Sequence, residues 1–313
     1  MKQFLTLNDL QNFDAQVALA KEIKANPYQY EELGKRKTLG LLFFNPSLRT
    51  RLSTQKAGRL LGMDVMVMNF SNEAWAIEYE DKTIMEGLRS EHVKEAAQVV
   101  SQYCDVVGIR AFATLTDKEK DESEQVLQKF IQYASVPILN MESATAHPLQ
   151  ALADALTLTE LSLPKKPKVV LTWAPHPKAL PHAVGNSFAR MMEHQDADFV
   201  IANPEGYDLD PRITKDIPVV HNQAEALKGA DVVYAKNWSS YDSYGQILRT
   251  DNEWMLTPEK MAATNNAAFM HCLPIRRNVV VSDSVLDSPN SKVIEQANNR
   301  TFVAAAVLKT LLS

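Results

Sequence analysis

The chain has 313 residues, 45% hydrophobic and 23% charged, enough for one large or two ordinary globular domains with real cores. Its 33 basic and 38 acidic residues give a net charge of −5, which offers nucleic acid no basic face and directs attention to small ligands held by local clusters. Only Cys104 and Cys272 are present, which argues against a disulfide framework or a zinc site, and no apolar run reaches bilayer length. A reduced, cytoplasmic compartment is expected, with no signal peptide, membrane partner, metal or cofactor.

In chain order, Lys37 to Phe44 is an apolar run of strand length, and Ser47 to Leu61 reads as a helix closed by Gly62. The junction, Phe43-Phe44-Asn45-Pro46-Ser47-Leu48-Arg49-Thr50-Arg51, sets hydroxyls and a guanidinium at a helix start, where unpaired amides and the macrodipole attract an anion. Taken alone, Ser47 could simply cap the helix while Arg49 and Arg51 lie along its surface. Strand-like runs follow at 64–68, 105–109 and 136–140, alternating with helical patterns at 91–103, 122–133 and 147–161. A Pro-bearing break, Leu161 to Pro167, precedes a second series of strands at 168–173, 198–201, 231–235 and 267–270. The last helical stretch, Ala297 to Leu312, is apolar on one side and must pack on something. The rhythm predicts an α/β protein of two parallel-sheet domains, 1–150 and 151–296, with the C-terminal helix 297–313 returning to the first.

Polar clusters sit at the ends of the predicted strands: Arg110; Glu142 with His147-Pro148-Leu149-Gln150; Trp173-Ala174-Pro175-His176-Pro177; Lys236-Asn237-Trp238; and His271-Cys272-Leu273-Pro274-Ile275-Arg276-Arg277. A single loop histidine or arginine is usually a solvated surface group, but five such clusters in register along two sheets are a stronger signal. Cys272 beside His271 raises the idea of a nucleophile pair. Adjacent residues on a strand end point in opposite directions, which argues against it.

Ser-x-Arg-Thr at Ser47 to Thr50, His-Pro-x-Gln at His147 to Gln150 and His-Cys-Leu-Pro at His271 to Pro274 occur here in the order found in the transcarbamylases, and the chain resembles that family over essentially its whole length. The form with Cys272 resembles the ornithine branch. Members acting on free ornithine carry Asp-x-x-x-Ser-Met-Gly in the second domain; in its place stands Lys236 to Gly245, which with Ala74-Trp75, Asn140-Met141-Glu142 and Thr172 to Pro177 is similar to members acting on N-acetyl- or N-succinylornithine in arginine biosynthesis. Ser53 to Ala57 and Ala174 to Pro177 are worded more like the succinyl-type members.

The resemblance implies a carbamoyltransferase with small-molecule substrates, in a homotrimer whose subunits share active sites. It places carbamoyl phosphate on Ser47, Leu48, Arg49, Thr50, Arg110, His147, Pro148, Leu149, Gln150, Cys272, Leu273 and Arg300, with Trp75 reaching over from a neighbouring subunit. Arg110, His147, Gln150 and Cys272 are the implied catalytic residues, and Glu142, His176, Lys236, Arg276 and Ser90 the acylornithine-binding ones. At the position aligned with Ser90, succinyl-type members have Pro and acetyl-type members Glu, so this chain departs from both; Ser leaves room for a larger acyl group, and nearby Arg89 could attract its carboxylate or equally be a solvated loop residue. From spacing alone, Lys236 and Arg276 could equally form surface ion pairs. A non-catalytic anion-binding paralogue is the remaining alternative. It would lack some of Arg49, Arg110, His147, Gln150 or Cys272, and all are present.

Overall fold

The computed structural model describes the 313 residues apart from the side chain of Ser71. The chain forms two compact units, Met1–Thr114 with Glu119–Leu152 and Arg300–Ser313, and Leu115–Lys118 with Ala153–Asn299. Each is an α/β layer structure around one parallel sheet, as the alternation of apolar runs and helical patterns predicts.

In the first unit the strands are β1 (Gln3–Phe4), β2 (Thr38–Phe43), β3 (Asp64–Asn69), β4 (Ile77–Glu78), β5 (Glu91–His92), β6 (Val106–Arg110) and β7 (Ile138–Glu142). The main sheet runs β1-β7-β6-β2-β3, all parallel, while β4 and β5 pair as a separate ribbon. Leu39 and Leu41 in β2 and Val106 and Val107 in β6 are fully buried, as strands covered on both faces require. Each fully buried leucine contributes about 1.5–3 kcal/mol through removal from water. The chain winds from β2 outward to β3, then returns to lay β6 and β7 on the other side of β2. That reversal leaves a crevice at the carboxyl ends of β2 and β6, where open parallel sheets bind ligands.

The second unit repeats the logic with β8 (Lys168–Trp173), β9 (Asp198–Ala202), β10 (Val219–Val220), β11 (Val232–Lys236) and β12 (Ala268–Met270). Its order is β10-β9-β8-β11-β12, again all parallel, so the winding reverses between β8 and β11.

Several element limits differ from the expected ones for local reasons. The helix after β2 spans Arg49–Leu60, two residues later than the sequence suggests, because Ser47 stays outside and its hydroxyl accepts the Thr50 N–H at 3.3 Å. The pattern at 91–103 divides because Glu91–His92 pairs with β4, leaving a helix over Val93–Tyr103. The pattern at 122–133 becomes Lys118–Glu122 and Gln125–Tyr133, broken at Glu124, whose φ is 51°. The C-terminal helix begins earlier, at Val293, and runs to Leu312; its residues from Arg300 onward belong to the first unit. The two-residue strand β1 and the helices Phe13–Ala25 and Ala183–Met192 were not anticipated.

Gly62 ends the helix Arg49–Leu60 at φ 79°, and a Cβ there would lie 1.9 Å from the Glu31 carbonyl oxygen. Gly62→Ala is expected to destabilise the protein by at least about 1–2 kcal/mol, the left-handed penalty plus displacement of the 31 backbone, read as a lower urea midpoint at unchanged slope.

Candidate active site

The end of β2 leads into Asn45-Pro46-Ser47, and the end of β6 delivers Arg110 beside it; the Phe44 N–H donates to the Arg110 carbonyl at 2.9 Å, continuing the β2–β6 ladder past the strands. Arg110 is 5% exposed. Its Nη1 donates to the carbonyls of Asn45 and Pro46, both at 2.9 Å, its Nη2 lies 3.0 Å from Glu142 Oε2, and its guanidinium covers the Phe112 ring at 4.0 Å. The Asn45 side chain in turn accepts the Phe112 N–H at 2.6 Å. Glu142 Oε2 is also 3.5 Å from His147 Nε2. From the C-terminal helix, Arg300 Nη2 donates to Thr50 Oγ1 at 2.6 Å and approaches His147 Nε2 at 3.4 Å. Thus the first unit joins Ser47, Thr50, Arg110, Glu142, His147 and Arg300 in one largely buried network of donors and acceptors.

Arg49 starts the helix at whose entry this network sits, and Leu48 is 66% exposed. Pro148, Leu149 and Gln150 form the first turn of the helix Pro148–Glu160, with the Gln150 N–H on the His147 carbonyl at 3.0 Å. Leu149 is buried. Trp75 and Ser90 are not brought into this network within the chain. Both are exposed on the β4/β5 ribbon, with the Trp75 indole N–H on Glu91 Oε2 at 2.6 Å and the Ser90 N–H on the Ala76 carbonyl at 3.1 Å. Arg89 does not offer a free charge to a second carboxylate as expected: its Nη1 pairs with Glu78 Oε1 at 2.5 Å.

In the second unit, β8 and β11 end in Trp173 and Lys236, and the Ala174 N–H donates to the Lys236 carbonyl at 3.1 Å. Asn237 Nδ2 holds the Ala174 carbonyl at 2.7 Å, and the Trp173 indole N–H donates to the Trp238 carbonyl at 2.8 Å. Trp173 and Trp238 are therefore core residues that brace the strand ends, not ligand contacts. Lys236 is 9% exposed, and among the described residues neither it nor Arg276 makes an ion pair, so the surface-pair reading does not hold. Arg276 Nε donates to His176 Nε2 at 3.2 Å, and His176 Nδ1 lies 2.9 Å from the Lys178 carbonyl oxygen and 3.1 Å from the Lys178 amide nitrogen. Partial burial, then the charges of Lys236, Arg276 and Lys178, hold the His176 pKa below the usual imidazole range. The strand-end signal missed Lys178, which follows Pro177 in an exposed turn.

Past β12, the His271 N–H donates to Gln296 Oε1 at 3.0 Å, and His271 Nδ1 accepts the Leu273 N–H at 2.9 Å. His271 Nδ1 is thus engaged by its own loop, and Cys272 is buried. Among the described residues no cluster of three or more His, Cys, Asp or Glu could hold a metal ion, and no helix is long and apolar enough to cross a membrane.

Two measurements probe this electrostatic design. Glu142→Ala leaves a buried guanidinium uncompensated and is expected to lower unfolding stability by about 3–5 kcal/mol, checked by denaturant titration. Because the folded state binds the His176 proton less readily than the unfolded state, its contribution to stability is present above the ordinary imidazole pKa and is lost as pH falls through the folded value. An NMR titration should therefore place the His176 midpoint below that of an unfolded peptide, and Arg276→Ala should raise it.

Two family models match the chain: aspartate/ornithine carbamoyltransferase, carbamoyl-P binding domain, over residues 2–160, and aspartate/ornithine carbamoyltransferase, Asp/Orn binding domain, over residues 182–311. N-succinylornithine carbamoyltransferase of Bacteroides thetaiotaomicron is 50% identical over 314 residues, spanning 100% of this chain and 99% of that protein. N-acetylornithine carbamoyltransferase of Xanthomonas campestris pv. campestris is 38% identical over 335 residues, spanning 100% and 98%. Among solved structures, a glutamate-to-serine variant of N-acetyl-L-ornithine transcarbamylase, complexed with carbamyl phosphate and N-succinyl-L-norvaline, matches with a TM-score of 0.91 at 38% identity, covering 99% of this chain and 100% of that one. Matched across both of its units, with the donor network at one sheet reversal and the unpaired cations at the other, the chain belongs to the aspartate/ornithine carbamoyltransferase family and is a carbamoyltransferase of its ornithine branch.

Proposed function

We propose that this enzyme transfers the carbamoyl group of carbamoyl phosphate to the δ-amine of N-succinyl-L-ornithine, giving N-succinyl-L-citrulline and phosphate. The observation that carries this reading is the full-length identity of 50% to an N-succinylornithine carbamoyltransferase, against 38% to an N-acetylornithine one. Ser90 supports it: this chain has serine where acetyl-type members have glutamate, and variants of the acetyl enzyme with that glutamate replaced by alanine, serine, proline or valine are each complexed with N-succinyl-L-norvaline.

In this proposal the first unit is the carbamoyl phosphate-binding domain and the second the acylornithine-binding domain. Ser47, Leu48, Arg49, Thr50 and Arg300 hold the phosphate, with Trp75 supplied by a neighbouring subunit and Pro148 and Leu149 lining the site. Arg110 and His147 donate to the carbonyl oxygen as it gains charge, the interaction that most lowers such a barrier. Gln150 and the main-chain carbonyls of Cys272 and Leu273 accept from the carbamoyl NH2 and the incoming amine. The amine nitrogen bonds to the carbonyl carbon, the C–O bond to phosphate breaks, and the departing phosphate takes the amine proton, so no protein base is required. Glu142, His176, Lys236 and Arg276 orient the acceptor, whose carboxylates suit the cations around His176. Ser90 leaves room for the succinyl arm.

The proposal extends to a cytoplasmic homotrimer in arginine biosynthesis. Met66 and Met68 on the edge strand β3 and Leu48 and Leu52 beside the Ser47 turn are exposed, which supports an assembly contact on the first unit.

Phosphate release measured with carbamoyl phosphate and each of three acceptors tests the assignment. N-succinyl-L-ornithine should exceed N-acetyl-L-ornithine in kcat/KM by about tenfold or more, with free ornithine slower still. Equal or faster turnover of either competitor would overturn it. Arg110→Ala should lower kcat by roughly a hundredfold or more.

A further inference from the structure

The segment Ser143 to Ala146 links two members of the first-unit network, Glu142 at the end of β7 and His147 ahead of the helix Pro148–Glu160. It lies outside both elements, yet its polar groups converge on one side chain. Glu124 Oε1 accepts from Ser143 Oγ at 2.7 Å, Thr145 N at 2.8 Å and Thr145 Oγ1 at 2.5 Å, and Oε2 accepts from Ala144 N at 3.1 Å. The loop also closes on itself, with the Ser143 N–H on the Ala146 carbonyl at 2.8 Å, and Asn140 Nδ2 donates to Ser143 Oγ at 3.0 Å. Every partner of Glu124 in the loop is a donor, so only a group that accepts at both ends satisfies them, and a carboxylate does so with charge-assisted bonds. Glu124 adopts φ 51°, ψ 38° to reach them, breaking the helical run into Lys118–Glu122 and Gln125–Tyr133. A left-handed glutamate persists only where its surroundings fix it.

We propose that Glu124 is a positioning residue for carbamoyl transfer: its carboxylate clamps the 143–145 loop and thereby sets where Glu142 and His147 meet Arg110 and Arg300. Glu124 touches no substrate; the inference rests on the proposed function for its catalytic consequence only. Glu124→Gln keeps size and shape, but turns one acceptor into a donor that confronts the loop's own donors.

The test compares the parent, E124Q and Gln16→Ala, the last removing a buried acceptor of Thr310 Oγ1 in the same unit. In E124Q we expect kcat to fall on the order of ten- to a hundredfold, as for displacement of a reacting group by a fraction of an ångström, while KM for carbamoyl phosphate changes by less than about threefold. The His147 ring resonances should move in E124Q and stay in Q16A. Unmoved His147 resonances, kcat within about threefold of the parent, or an equal kcat loss in Q16A would each overturn the proposal. A parent that fails to carbamoylate N-succinylornithine defeats the functional reading instead, and the His147 resonances then decide Glu124 alone. Should E124Q not fold, Thr145→Ala removes two-point attachment of one residue by deleting its hydroxyl and carries the same His147 readout.

Discussion

A guanidinium buried at the end of a central strand sets the terms for the whole first unit. Stripped of water, such a charge is tolerated only with close compensation, and the loss of a sole counter-charge costs several kcal/mol. Arg110 obtains it from Glu142, from two main-chain carbonyls of the 45–46 turn and from the face of Phe112. Two of these partners lead on to the rest of the network. The turn carries Ser47 and Thr50, and the carboxylate of Glu142 also faces His147, which Arg300 approaches from a helix far along the chain. Four distant stretches of sequence are therefore tied to one charge. Groups tied to one another in this way have little freedom to reorganise.

The second unit uses the opposite arrangement. Lys236 and Arg276 have no carboxylate partner among the described residues, and with Lys178 they depress the protonation of His176. Repulsion among these cations is a standing cost that any anion placed among them would relieve. The first network pairs its central guanidinium with a carboxylate, whereas Lys236 and Arg276 are left without one among the described residues.

Much of this was legible from residues alone because parallel sheets expose their chemistry at strand ends. Short apolar runs located all of the longer strands, and the clusters after them marked Arg110, His147, His176, Lys236 and Cys272. What escaped were features without local periodicity: the two-residue β1 and β10, the pairing of Glu91–His92 that shortened a helix, and the turn of Glu124, whose role depends on loop donors some twenty residues away. Trp238 looked like part of a functional cluster and proved to be core, since an indole's size outweighs its neighbours' polarity in deciding burial. Arg89 looked available and is paired with Glu78, a cross-ribbon contact that spacing does not encode.

The boundaries between the units fall inside helices, after Leu152 in one and before Arg300 in the other, so the first unit is discontinuous along the chain. During synthesis the ribosome must add the 147 residues from Ala153 to Asn299 before Arg300 can reach Thr50 and His147. At ordinary elongation rates that delay is roughly 7–30 s. Through that interval all the strands of the first unit have been made, but the helix residues Val303, Ala306 and Val307, buried in the folded protein, have not. That unit's apolar surface stays open to chaperones until the final turns emerge, and a premature stop anywhere from Ala153 to Asn299 leaves both units incomplete.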